Sequence, residues 1–324
     1  MQCKLIGIFL SLVACLSTPA VSGAAQPYPT KPIRMVVPYP PGGSADAAAR
    51  PIAQMLSERL GQSVLIDNRG GATGMIGAGI VAKAAPDGHT LLVSGSSEVA
   101  LNVTLYERMA YDPVRDLAPV TLVAEMPTIL VSHPSLPARS VNEYAALARA
   151  RPGVLSYASG GAGTPMHFAG ELMRIRLRIV LTHVPYKGTG PAVTELLGGQ
   201  VPSGFVALVS AVSHIKAGKL HGIAVSSARR SSVLPQIPAL SESLPGFDIT
   251  QWNGVWVPAG TPKEVIARLN AEIVRIVRSE DFVLRMRELG SEARGTSASE
   301  LAVFQKDEIE KYWRIVRDAG IVLN

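Results

Sequence analysis

The sequence predicts an α/β fold of two lobes with a cleft between them. Short apolar runs alternate with stretches of helical periodicity along the chain. At 324 residues the chain is longer than one comfortable core. Residues 126–227 form a self-contained α/β block with α/β sequence on both sides, as in a chain that leaves one domain, builds a second and returns. The expected organisation is a leader over 1–25, a first lobe from 26–125 with 228–324, and a second lobe over 126–227. A two-lobed clamp takes its ligand between the lobes.

The elements follow in order. Apolar runs bounded by turn residues predict strands at 32–39, 63–68, 89–95, 127–133, 155–160, 181–186, 221–227 and 254–259. Helical spacing predicts helices over 45–60, closed by Gly61, over 141–149 and over 164–175. "SARRSSVLPQIPALSESLPGF" (227–247) reads as a long surface connection. Thr261, Pro262 and Glu264 predict a capping box that opens the next helix, and Ser297 with Glu300 predicts a second box. Pro51 falls inside the first helix, where it removes a hydrogen bond and is expected to kink it.

Composition narrows the function. The chain is 47% hydrophobic and 17% charged with a net charge of +6, an ordinary globular balance. Its Lys and Arg are scattered and no RNA-reading aromatic motif is present, so nucleic acid is not the expected partner. "MQCKLIGIFLSLVACLSTPAVSGAAQ" has a cation, an apolar run and small residues, the pattern of a cleaved signal peptide. The periplasm is the expected location. "LVAC" offers the alternative of lipid attachment at Cys15. Cys3 and Cys15, the two cysteines, both lie in this leader, so disulfides and thiol chemistry are not expected of the mature chain. There is no G-x-S-x-G, H-E-x-x-H or phosphate-binding glycine motif, and no histidine pair at metal-ligand spacing. The expectation is a protein that is not an enzyme and uses no metal or cofactor.

Two corners carry the binding signal. "VVPYPPGGSADAAAR" (36–50) and "LSYASGGAGTPMHFAGEL" (155–172) both run strand, Gly-Gly, small hydroxyl residues, helix. "LLVSGSSEVALN" (91–102) is a weaker version, with Ser96 and Ser97 ahead of a helix start. Each places free backbone N–H groups and hydroxyls at a helix N-terminus, which favours an anion. Each corner alone is equally an ordinary turn with an N-cap: Ser44 or Asp46 for the first helix, Thr164 with Pro165 for the other. Their pairing across two lobes points to a shared ligand. His167 is the one histidine placed to see such a cleft.

These residues resemble the periplasmic solute receptors of tripartite tricarboxylate transporters, the Bug or TctC family. The likeness runs through "YPTKPIRMVVPYPPGGSAD", "IDNRGGATGMIGAGIVAKAAPDGHTLL", "YDPVRDLAPVTLV", "SYASGGAGTPMHFAGEL", "VPYKGTGPAVTELLGGQV", "HIKAGKLHGIAVSSARR" and "NGVWVPAGTPKEVIARLN". It implies a type II periplasmic-binding-protein fold, two α/β lobes joined by crossing strands. It also implies a monomeric receptor that binds a small di-, tri- or aromatic carboxylate and delivers it to membrane permease subunits; signalling to a sensor kinase is the alternative. The carried-over site comprises Tyr39, Gly42, Gly43, Ser44, Ala45 and Asp46 in the first loop, Ser96 and Ser97, and Ser159, Gly160, Gly163, Thr164 and His167 in the second. The chain departs from the family at Pro202 and Val206, where acidic residues are frequent. Val206 is expected to line the cleft and disfavour ligands with an amino group.

Overall fold

The computed structural model describes residues 28–321; the leader and both cysteines lie outside them. Strand β1 (Ile33–Val37) is almost wholly buried and leads through a Pro-Gly corner into helix α1 (Ser44–Leu60), which Gly61 ends in the left-handed conformation. Then come β2 (Val64–Asn68), α2 (Met75–Ala82) and β3 (Thr90–Gly95). A π-helical turn over Ser97–Leu101 leads into α3 (Asn102–Leu105). The long β4 (Leu117–Ser132) carries the chain across to the other lobe. There follow α4 (Val141–Ala150), β5 (Ser156–Ser159), α5 (Pro165–Leu177), β6 (Thr182–Pro185), α6 (Thr189–Leu197), β7 (Ser203–Ala207), α7 (Leu208–Lys216) and β8 (His221–Val225). The chain returns through α8 (Leu240–Ser243) and β9 (Thr250–Pro258), and ends in α9 (Lys263–Val277), α10 (Glu280–Glu288), β10 (Glu292–Ala293) and α11 (Ala298–Ala319).

The strands form one curled sheet in the order β2-β1-β3-β9-β4-β7-β5-β6, with β8 and β10 also on β4. Residues 117–127 of β4 pair antiparallel with β9, and residues 128–132 pair with β7 and β8. The change of partner falls between Pro127 and Thr128, so one continuous strand belongs to both lobes. Ser226 secures the return crossing. Its hydroxyl lies 2.8 Å from the hydroxyl of Thr128 and donates to the Ile249 carbonyl at 2.6 Å.

Helix α11 packs on β4 and α3 of the first lobe and on α5 of the second. Tyr312 meets Phe168 edge to face, 5.2 Å between ring centres. The indoles of Trp252 and Trp256 donate to Glu308 and Gln305 on the same helix. One buried cluster joins residues of both lobes with residues of α11.

Several sequence expectations are corrected here. Pro262 is extended (φ −54°, ψ 139°) and is itself the N-cap of α9, while the Thr261 hydroxyl donates to the Pro258 carbonyl. No Thr261 capping box forms. The Ser297–Glu300 box does form. Pro51 does lie inside a helix, α1. The 227–247 connection is not merely a surface loop, because Leu234, Leu240 and Phe247 are buried in it.

Candidate functional site

The first corner is held from behind. Gly42 takes φ +91°, open to glycine at no steric cost, and Gly43 is the N-cap of α1 with no side-chain cap. Asp46 faces back into the protein. Its carboxylate accepts from the Gly42 N–H (2.9 Å), from Arg50 Nε (2.7 Å) and Nη2 (2.9 Å), and from Asn68 Nδ2 (3.1 Å). Burial works to raise its pKa, but the bonds from Arg50, Gly42 and Asn68 outweigh it and hold the carboxyl below its usual value. Asp46 is thus a staple for the loop rather than a ligand contact. Ala45 packs into the core. The first amides of α1 have no intrahelical acceptor and open on the cleft at Gly43 and Ser44.

The crossing strands make the floor. Register pairs Ala124 with Asn253 and Met126 with Gln251, and alternation turns all four side chains to one face. Gln251 Nε2 reaches Ser44 Oγ at 3.4 Å. Asn253 is 1% exposed, and neither of its amide atoms has a partner among the described residues. Gly95 lies opposite it, and the buried Ser96 hydroxyl next to Gly95 is also unpartnered. Behind them Glu98 accepts from Ser94 Oγ (2.7 Å) and the Gly95 N–H (3.0 Å). Burial nevertheless raises the Glu98 pKa. Tyr39 lies beside Glu98, and burial raises its pKa further above the usual value.

The second corner is satisfied internally. Thr164 Oγ1 donates to the Gly161 carbonyl at 2.7 Å and accepts from the His167 N–H at 3.4 Å, so it caps α5. Ser159 Oγ is 2.7 Å from His183 Nε2 and accepts from the Gly161 N–H. The Gly163 N–H donates to His167 Nδ1 at 3.2 Å. His167 stacks on His183 at 4.1 Å, and His183 on Tyr157 at 4.9 Å. Burial lowers the pKa of both imidazoles. His183 falls to about 3, with His167 as the second cause. His167 therefore buttresses the loop and does not face the cleft. The Ser159–Gly160–Gly163–Thr164 loop reaches the cavity through its neighbours, Met166 at the start of α5 and Thr189 at the start of α6.

Between the lobes lies a cavity of about 480 Å³, within the usual range of small-molecule sites. Gly42, Gly43 and Ser44 line it from one side; Met166, Thr189 and residues 207–210 line it from the other. Met286 and Leu289–Ser291, at and just beyond the end of α10, also line it. Helices α1, α6 and α7, which begin at Ser44, Thr189 and Leu208, all lack side-chain caps. Among the described residues no charged side chain lines the cavity.

Val206 needs a plain correction. It is 0% exposed, pairs with Ile129 on β7 and packs in the second-lobe core with Leu196 and Leu208. It cannot select a ligand by contact. The neighbouring start of α7, Ala207–Ser210, takes the position at the cavity wall. Sequence reasoning missed that helix start, the end of α10, and Gln251 and Asn253. Asn253 had a signal, as a lone amide inside the apolar strand "WNGVWVP".

Residues 48–321 match the profile of the tripartite tricarboxylate transporter family receptors, TctC. The chain belongs to this family. It is 37% identical to Protein BugT of Bordetella pertussis, over 98% of this chain and 97% of that one. Among solved structures, Rpa4515 of R. palustris with adipate superposes with a TM-score of 0.80 at 35% identity, over 91% of this chain and 99% of that one. MatC of Rhodopseudomonas palustris with bound malate gives 0.75 at 33% identity, over 89% and 100%. These two solved structures share the fold described above. Among the described residues no helix is long and apolar enough to cross a membrane.

Proposed function

We propose that this TctC receptor binds a small carboxylate in the interlobe cavity and hands it unchanged to the membrane permease of a tripartite transporter. The observation that carries the reading is the convergence of three uncapped helix starts, from both lobes, on one cavity without a charged wall. Each helix N-terminus favours an anion by about 0.3–2 kcal/mol. With hydrogen bonds from Ser44, Gln251 and Asn253 added, the sum approaches the roughly 8 kcal/mol of micromolar affinity. Neutral donors hold the anion; no buried Arg is required. Adipate and malate, bound by the relatives named above, are ligands of this class.

A ligand touched from both sides draws the lobes together. Gly290 at the end of α10 already lies against Val209 of α7: a Cβ built on it would sit 3.2 Å from the Val209 nitrogen. The preference against amino-acid ligands, first attached to Val206, rests instead on the lining, which offers no acidic side chain to an ammonium group. Calorimetry with succinate, malate, adipate and benzoate tests the function. Saturable binding with the acid recovered unchanged supports it, and turnover of the acid or the absence of binding across all four refutes it.

A further inference from the structure

We propose that the ligand has a single anionic end and an apolar body, selected by Met126, Met166, Val209 and Leu289. This narrows the carboxylate reading above and rests on it. The four side chains come from β4, α5, α7 and the segment after α10, so apolar surface meets the ligand from the floor and from both lobes. Two of them are methionines, whose unbranched polarizable side chains adapt to flat and flexible apolar groups alike.

Size supports the proposal. A cavity of about 480 Å³ is of the size that takes a small molecule, far more than one carboxylate fills. The remaining space needs an occupant, and the walls that bound it are largely apolar.

Charge supports it as well, and the protein supplies its own reference cases. Three of its buried carboxylates have a cation beside them: Asp46 has Arg50, Glu171 has Arg174 and Glu308 has Lys311. Glu98, which has no ion-pair partner among the described residues, is shifted toward the protonated form by burial. A second ligand carboxylate against the apolar wall would share the position of Glu98, because no Lys or Arg lines the cavity. The first carboxylate differs, since the polar pole of the cavity gathers Ser44, Gln251 and Asn253 beside the open start of α1. The rival arrangement is a diacid that spans the cavity, with its second carboxylate on the uncapped start of α7.

Two acids of equal carbon number separate these arrangements. Calorimetry on the mature protein would compare butyrate, hexanoate and adipate, with succinate and malate alongside. Each buried methylene tightens binding about fourfold, so hexanoate, with two more, should bind roughly 15-fold tighter than butyrate. It should also bind at least tenfold tighter than adipate. The Val209→Lys variant, at a side chain 43% exposed at the start of α7, should shift the hexanoate-to-adipate ratio at least fivefold toward adipate. Adipate equal to or tighter than hexanoate in the unaltered protein overturns the proposal and leaves the carboxylate reading standing. An unchanged ratio in Val209→Lys overturns the placement of the body against α7. Binding of none of the five acids overturns the carboxylate reading and the proposal with it.

Discussion

Replacing Asn253 by Leu should move stability and affinity in opposite directions. In the structure the Asn253 amide is buried on β9, neither of its atoms has a partner among the described residues, and the residue lines the interlobe cavity. An unpartnered buried polar group costs about 1–3 kcal/mol, and an apolar replacement of similar shape is nearly neutral or stabilising. Leu keeps the branch at Cγ and puts two methyls where Oδ1 and Nδ2 stand, with the cavity to accept their extra volume. The ligand-free variant should therefore gain about 1 kcal/mol in urea unfolding. Affinity should fall, because hydrogen bonds to a charged group contribute about 1.5–3 kcal/mol each. One lost bond weakens Kd by roughly 10- to 150-fold. Urea denaturation followed by circular dichroism gives the first quantity; calorimetry with hexanoate and adipate gives the second. A variant that is less stable and binds both acids with unaltered affinity would refute the reasoning, since the amide would then be structural. The opposed signs exemplify a site held short of its most stable sequence for the sake of its ligand.

Gly43→Val should abolish measurable binding without unfolding the protein, because φ is −76° and the nearest atom to an added Cβ is the Pro40 carbonyl oxygen at 3.8 Å; retained affinity in calorimetry would remove the first loop from the site. Thr164→Ala should cost about 1 kcal/mol of stability through the lost cap and change Kd less than threefold; the reverse pattern, in paired urea and calorimetric titrations, would return Thr164 to direct ligand contact. The His183 pKa lies near 3 in the folded protein, below the roughly 6.5 of a free imidazole. The unfolded chain takes up that proton first, so this contribution to stability is complete above about pH 6.5 and declines as the pH falls toward 3. His183→Gln should accordingly show a smaller drop in melting temperature between pH 7 and 4.5 than the unaltered protein; an equal drop would mean that the stacked pair does not titrate with unfolding.

How legible this was in the sequence depends on where the information sits. Apolar runs marked β1, β2, β3, β5, β6 and β8 within a residue or two, because a buried strand writes itself locally. The α1 stop at Gly61, the Thr164 cap and the Ser297–Glu300 box were legible for the same reason. β7 was not: "SGFVA" follows a proline, contains a glycine and is stabilised by its pairing with β4 and β5. β4 began ten residues earlier than its apolar run, across Pro119 and Thr121, because β9 supplies the partner. The site divides the same way. Gly42, Gly43 and Ser44 announced a helix start. That the Ser159 hydroxyl was already committed depended on His183, on the neighbouring strand β6, whereas the Thr164 contact with Gly161 lies within the loop itself. Val206 shows the limit most sharply, since strand register decides whether a residue faces core or cleft.

The bridging role of α11 has a consequence for motion between the lobes. Its Tyr312 packs against Phe168 of the second lobe, and its Glu308 and Gln305 accept from the indoles of β9. Two further buried clusters, one in each lobe, are built without it. A rotation of one lobe against the other can therefore leave those two interiors intact, and it is resisted where a single helix grips both.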